Sequence, residues 1–195
     1  ETITYTHDHT GRRTRETHSD GRRRDYTWTA LSRLATITTH HNDRVEHTTT
    51  IVDALGHLAH INNHDIFTDP TTGTLLQADD HTIITAGALT ATTNHGWLQP
   101  SWRPHRHTTP TNPYQPPTPQ TTLPGGISLS PQGDIHIQGL EWLGARILDP
   151  HSRGFLTPDP LPPITGTAWA PNPYNYAGNN PTNLHDPTGL QPITT

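Results

Sequence analysis

Residues Gly139–Leu190 read GLEWLGARILDPHSRGFLTPDPLPPITGTAWAPNPYNYAGNNPTNLHDPTGL. Turn chemistry sits at three places in this stretch: Asp149-Pro150, Asp159-Pro160 and Asp186-Pro187-Thr188-Gly189. Asp-Pro initiates turns; Pro presets φ at the second turn position and Gly closes the fourth. Tyr174, Tyr176 and a run of Asn and Pro lie between the second and third turns. A segment so dense in turns, with aromatic and aliphatic anchors between them, predicts short strands and no long helix.

Composition extends that expectation to the whole chain. Of 195 residues, 29% are hydrophobic and 15% charged, so the chain is neither core-rich nor a charge-rich disordered polymer. Thr, His, Pro, Gly and Asn fill the balance; Thr forms strands and the others punctuate. Twenty prolines argue against long helices. The absence of cysteine removes disulfide and thiol chemistry. No apolar run approaches the roughly 18 residues of a membrane-spanning helix, and no signal peptide is visible. The chain opens at Glu1 rather than Met, which leads us to expect a start inside a longer polypeptide.

A degenerate repeat runs through the first third. Tyr5–Arg12 (YTHDHTGR) aligns with Tyr26–Leu34 (YTWTALSRL), 21 residues on, and with Val52–Leu58 (VDALGHL), 26 residues further. The shared frame is an aromatic or apolar residue, Asp or Thr, then Gly or Ser followed by Arg or His and Leu. Asp69–Leu75 (DPTTGTL) reads as a fourth, distorted turn. Repeats of this length supply hairpin-sized units that stack on their neighbours. Alternation at Leu34–Thr38 and Asp134–Gln138, and the pair Ile83-Ile84, mark further strands.

Taken together, the repeats and the C-terminal blocks resemble the Rhs (YD-repeat) family. The blocks are Leu148–Phe155 (LDPHSRGF), Thr157–Pro160 (TPDP), Asn172–Pro181 (NPYNYAGNNP) and Asp186–Leu190 (DPTGL), in that order. They are similar to the family's Tyr-Asp-Pro-x-x-Gly-Arg-Phe, Asp-Pro, Asn-x-Tyr-x-Tyr-x-x-Asn-Asn-Pro and Asp-Pro-x-Gly-Leu elements. Two departures stand out: Leu148 replaces the usual Tyr, and Arg153-Gly154 stands where Gly-Arg is common. The resemblance implies an all-β fold, with YD-repeat hairpins forming part of a large β-shell and a turn-rich C-terminal core segment.

The same resemblance implies a function. Such shells enclose a C-terminal toxin and cut their own backbone after the Leu of Asp-Pro-x-Gly-Leu. Carried over, the scissile bond is Leu190–Gln191, held by the turn residues Pro187 and Gly189, and the aspartyl pair falls on Asp159 and Asp186. Arg153, if it faces inward, orients a carboxylate. Two nearby carboxylates cannot both ionise easily, so one keeps its proton as acid while the other activates water. The residues alone leave a turn role equally open for Asp159 and Asp186, and they favour a structural role for Arg153. Tyr174 and Tyr176, two apart on one face, read as packing anchors.

Other chemistries find less support. His57 and His60, His60 and His64, and His105 and His107 have ligand-like spacings, but such spacing converges only on a helix and these stretches read as strand and loop. No metal and no other cofactor is expected. The serines Ser128, Ser130 and Ser152 lack a Gly-x-Ser-x-Gly setting. Arg12, Arg13, Arg15, Arg22, Arg23 and Arg24 form a basic patch, but Asp8, Glu16, Asp20 and Asp25 interleave with it. That pattern predicts a solvated strand-and-turn face, not a nucleic-acid groove.

These readings divide the chain into repeat hairpins over 1–99, a Pro-rich surface loop or linker over 100–126, a core segment over 127–190, and the start of a missing or truncated region at 191–195. Five residues after Leu190 are too few for a toxin. The expected partners are the rest of the same polypeptide shell, a C-terminal toxin and an immunity protein for it. Secretion or display on a bacterial surface, used in competition between bacteria, is implied by the resemblance. A teneurin-like adhesive or structural module without proteolysis, or a fragment without function, remains open.

Overall fold

The computed structural model describes residues 2–69, 73–86, 89–93, 96–97, 121–130, 133–162, 166–167, 170–181, 183–186 and 188–194. The chain is all-β, as its turn-rich composition implies. The first sheet holds β1 (Ile3–His7), β2 (Arg13–His18), β3 (Arg23–Trp28), β4 (Leu34–His41), β5 (Arg44–Val52), β6 (Leu58–Ile61), β7 (His64–Thr68), β8 (Leu75–Ala78), β9 (His81–Ala86), β10 (Leu89–Thr92) and β11 (Gly96–Trp97). The second holds β12 (Thr121–Leu123), β13 (Ile127–Leu129), β14 (Ile135–Ile137), β15 (Leu140–Leu143), β16 (Arg146–Asp149) and β17 (Gly154–Phe155). A third, of two strands, pairs β18 (Leu184–His185) with β19 (Ile193–Thr194). In both larger sheets each strand pairs antiparallel with its sequence neighbours, so each of the two is a meander.

The repeat frame is a hairpin turn. At Asp8–Arg12, Thr29–Arg33 and Asp53–His57 the first residue's N–H donates to the fifth carbonyl and the fourth N–H donates back to the first carbonyl. The fourth position needs positive φ: Gly11 has +84°, Ser32 +58° and Gly56 +95°. Asp at the first position adds its own acceptor, as when Asp8 Oδ1 takes the N–H of Thr10 and of Arg12. Asp69–Thr74 closes with its ring one residue longer. Two further turns share the geometry, His18–Arg22 and Ser130–Asp134, with Gly21 and Gly133 at the positive-φ position but neither Asp nor Thr at the first.

The two larger sheets share one hydrophobic core. Tyr26, Leu34, Ile37, Leu58, Ile61, Ile66, Leu75 and Ile83 of the first meet Leu123, Ile127, Leu129, Ile135, Ile137, Leu140 and Ile147 of the second. Each such fully buried side chain contributes about 1.5–3 kcal/mol. The stretch expected to be a linker over 100–126 falls mostly outside the described residues, and its last part forms β12 and a short 3-10 turn at Pro124–Gly126.

The basic patch is only partly a solvated face. Arg12–Asp8, Arg15–Asp25, Arg22–Asp20 and Arg23–Asp25 pair near the surface, as expected. Arg13 and Glu16 are buried instead: they lie three apart, and the bulge where His7 pairs with Arg13 and Thr6 with Arg15 breaks the alternation of β2 and turns both inward. Arg13 binds Asp149 at 2.6 Å across the two sheets, and Glu16 accepts the Tyr26 hydroxyl at 2.9 Å. Burial raises the Asp149 carboxyl, but hydrogen bonds from Arg13 and Ser152 outweigh it and hold it below its ordinary value. Asp149-Pro150 is therefore more than a turn; its carboxylate locks the first sheet to the second.

Candidate site at the Leu190–Gln191 bond

The site is assembled on the β15–β16 hairpin. Its turn places Gly144 against the backbone of the Asp186–Gly189 turn, and a Cβ there would lie 2.9 Å from the Thr188 carbonyl. The N–H of Ala145 donates to that same carbonyl at 2.9 Å. Gly189, at φ +68°, meets the Leu143 carbonyl and the Arg146 N–H with no room for a side chain. Two glycines thus allow two backbones to touch, which fixes the residues before Leu190.

Arg146 opens β16 and is the hub. Its guanidinium stacks 3.7 Å from the Phe155 ring and its side chain is 3% exposed. One nitrogen, Nη2, reaches Asp159 Oδ2 at 3.0 Å and Asp186 Oδ2 at 3.3 Å. The two carboxylates therefore share a single hydrogen-bonding nitrogen. Nε donates to the Gly189 carbonyl, and Nη1 reaches the Pro173 carbonyl at 3.4 Å. Burial lowers the Arg146 pKa from its ordinary value, against the opposing pull of Asp159 and Asp186.

The carboxylates differ in surroundings. Asp186 is 1% exposed. Its Oδ1 accepts the Leu190 N–H at 3.0 Å. Burial pushes the Asp186 carboxyl above its usual range, despite Arg146 and the Leu190 N–H, and the charge of Asp159 adds to the rise. Asp159 is 29% exposed at its side chain, and its Oδ1 caps the following turn through the Leu161 N–H at 2.9 Å. A cavity of about 330 Å³ opens beside both, lined by Arg146, Asp159, Asp186, Leu190 and Gln191 among others. Two carboxylates, a buried cation and a tethered peptide bond at a cavity are the components of acid–base peptide hydrolysis.

Asp159, Asp186, Gly189, Leu190 and Gln191 are thus brought together, while Pro187 lies outside the described residues. Arg153 is not brought to them. It sits exposed on the β16–β17 turn at φ +60°, and the arginine at the carboxylates is Arg146. Arg146 carried a legible signal: within GARILD it sits two residues after a glycine at the start of a strand facing the motif blocks. Tyr176 is fully buried against Phe155, with ring centroids 5.9 Å apart. Tyr174 is half-buried and donates its hydroxyl to the Gly11 carbonyl at 2.7 Å. His57, His60 and His64 each face a different carboxylate, namely Asp53, Asp65 and Asp79. Among the described residues no three His or carboxylate side chains gather as a metal site. His105 and His107 lie outside the described residues.

No protein-family model matches the chain. No curated protein matches it either. Among solved structures, the chain is similar to part of the crystal structure of TcdB2-TccC3-TEV, at 18% identity and a TM-score of 0.31, over 96% of this chain and 9% of that one. It is similar to part of the Photorhabdus luminescens Tc holotoxin pore carrying a TccC3 mutation, at 16% identity and 0.32, over 99% of this chain and 9% of that one. It is also similar to part of TcdB2-TccC3 without its hypervariable C-terminal region, at 16% identity and 0.33, over 96% and 9%. The chain spans about a tenth of the length of each of these chains. Among the described residues no helix is long and apolar enough to cross a membrane.

Proposed function

We propose that this chain is a C-terminal shell segment of an Rhs-type polymorphic toxin, and that it releases the polypeptide downstream of Leu190 by aspartyl self-cleavage of the Leu190–Gln191 bond. One observation carries the reading: Asp159 and Asp186 share a nitrogen of buried Arg146, Asp186 accepts the Leu190 N–H, and both carboxylates line one cavity with Leu190 and Gln191. The four ordered motif blocks put that bond where the resemblance expects it.

In this mechanism Asp186 is the acid and Asp159 the base. Water enters from the cavity on the more exposed Asp159 side and gives its proton to that carboxylate. The water oxygen bonds to the Leu190 carbonyl carbon. The C–N bond to Gln191 breaks as Asp186 delivers its proton to the leaving nitrogen. Arg146 holds the carboxylates and, through the Gly189 carbonyl, the residue before Leu190. The scissile bond is tethered, so orientation replaces substrate binding, and effective molarities on the order of 10⁵ M or more suffice for a single turnover. The unpaired outer edge of β1, among the described residues, suits continuation of the sheet by preceding chain. Enclosure of a toxin, an immunity partner, and secretion or surface display belong to the same proposal.

A second reading rests on the turn itself. Asp186 also takes the Thr188 hydroxyl at 3.4 Å, and its carbonyl takes the Gly189 N–H at 3.4 Å, which are ordinary contacts of an Asp-led turn. In that reading the segment is a structural or teneurin-like adhesive module. Intact mass of the chain over time separates the two, with Asp159→Asn and Asp186→Asn as controls. Loss of the residues after Leu190 only in the parent chain supports self-cleavage. A folded product of unchanged mass supports scaffold.

A further inference from the structure

The first hairpin of the chain lies against the back of the carboxylate site. Its turn, Asp8–Arg12, presents Gly11 at φ +84°. The Gly11 carbonyl accepts the Tyr174 hydroxyl at 2.7 Å. A Cβ on Gly11 would lie 2.7 Å from that hydroxyl and 3.5 Å from Pro158, the residue before Asp159. Next along the hairpin, the Arg13 N–H donates to the Leu156 carbonyl at 2.8 Å, and its guanidinium holds Asp149 at 2.6 Å and Ser152 at 2.9 Å. The His7 ring packs on Tyr174 with centroids 5.7 Å apart.

Tyr174 belongs to the strip that carries the site. The carbonyl of Pro173, its neighbour, accepts the Asp159 N–H at 2.9 Å and reaches Arg146 Nη1 at 3.4 Å. The carbonyl of Tyr174 accepts the N–H of Phe155 at 2.9 Å, and the Phe155 ring supports the Arg146 guanidinium. One short segment therefore holds the backbone of the base, the flank of the cation and the ring beneath it. Its side chain reports to the hairpin.

We infer that Gly11 and Tyr174 are positioning residues for the Asp159–Arg146–Asp186 constellation, so that docking of the first hairpin completes the site that cuts after Leu190. The inference rests on the self-cleavage reading and adds a regulation to it. The linking hydrogen bond spans 163 residues. The site is thus complete only when the start of the described chain has folded onto its end, and cutting waits for closure. Neither residue touches the scissile bond; both act through the Pro173–Tyr174 strip.

Tyr174→Phe tests this by deleting one hydroxyl and nothing else. In the 195-residue chain, the rate at which the residues after Leu190 are lost is followed by intact mass, well below the thermal midpoint. Exchange and chemical shift of the Asp159 amide are followed by NMR on the same samples. The loss of one hydrogen bond from a positioned site predicts cleavage slowed about tenfold, a moved and faster-exchanging Asp159 amide, and a thermal midpoint within a few degrees of the parent. Gly11→Ala acts in the same direction and more strongly, and Tyr174→Phe serves should that variant not fold. Parent-like cleavage and a parent-like Asp159 amide in Tyr174→Phe would overturn the inference. So would a lowered midpoint with cleavage and the Asp159 amide unchanged, since that is support of the fold alone. If the parent chain does not cleave, the self-cleavage reading fails separately, and the Asp159 amide still decides: a moved, faster-exchanging signal in Tyr174→Phe supports positioning, and an unmoved one refutes it.

Discussion

Replacing Arg146 by Met keeps most of the side chain's bulk over Phe155 and removes its charge. The parent geometry sets the magnitude. Two carboxylate oxygens lie 3.0 Å and 3.3 Å from one guanidinium nitrogen. At an effective dielectric near 20, each attraction is worth about 5 kcal/mol. The cost of burying the guanidinium, several kcal/mol, offsets much of this in the parent. In Arg146→Met the offset disappears, but Asp186 stays buried with a negative charge and no cation. The carbonyls of Gly189 and Pro173 also lose a donor. Removing one partner of such a buried group costs about 3–5 kcal/mol.

The pH dependence identifies the cause. The folded Asp186 carboxyl already titrates above its usual range, so its contribution is most favourable when protonated and is lost as pH rises through the folded value. Without Arg146 that value rises further. The stability gap between parent and variant should therefore be widest at neutral pH and shrink on acidification. Urea unfolding at several pH values measures it, and Arg146→Met combined with Asp186→Asn should recover part of the loss. A gap below about 1 kcal/mol, or one independent of pH, would mean that the cation does not hold the carboxylates.

Four other outcomes are expected. Arg13→Met should cost about 3–5 kcal/mol by stranding buried Asp149 and Glu16, measured by chemical unfolding. Because the Asp149 carboxyl is held low, its stabilising effect is present above the ordinary carboxylate range and lost as pH falls through the folded value; Asp149→Asn should therefore flatten the acid limb of the stability profile. Gly144→Ala, at φ +55° and 2.9 Å from the Thr188 carbonyl, should cost about 1–3 kcal/mol; it should also free the Asp186–Gly189 turn, seen as faster exchange of the Ala145 amide. Self-cleavage should slow as pH rises through the raised Asp186 value, since the acid is then spent.

The hairpins were legible because their chemistry is local. Asp8, Gly11, Asp53 and Gly56 each satisfy a turn within five residues, so sequence spacing alone finds them. The His18–Arg22 turn was less visible, because its first residue lacks a carboxylate although Gly21 supplies the positive φ. That Asp159 and Asp186 come near each other was readable through ordered motif blocks, whereas the arginine between them was marked only by its place two residues after Gly144. Arg153 is in the motif and Arg146 is not, yet strand parity and the β15–β16 turn decide which guanidinium reaches the carboxylates. Burial of Arg13 and Glu16 was hidden for a similar reason. Regular alternation would put Arg13 and Glu16 on opposite faces; the bulge at the start of β2 turns both inward, and the Asp149 that Arg13 meets lies in a second sheet far along the chain (the Arg13–Asp149 bond spans 136 residues).

The most direct measurement is the intact mass of the purified, folded chain followed over days, beside Asp159→Asn and Asp186→Asn. The account predicts that the parent alone loses the peptide beginning at Gln191 and ends in a new carboxyl terminus at Leu190. A folded parent that keeps its full mass, or variants that are cut as the parent is, would contradict it and leave the shared arginine as a brace between two turns.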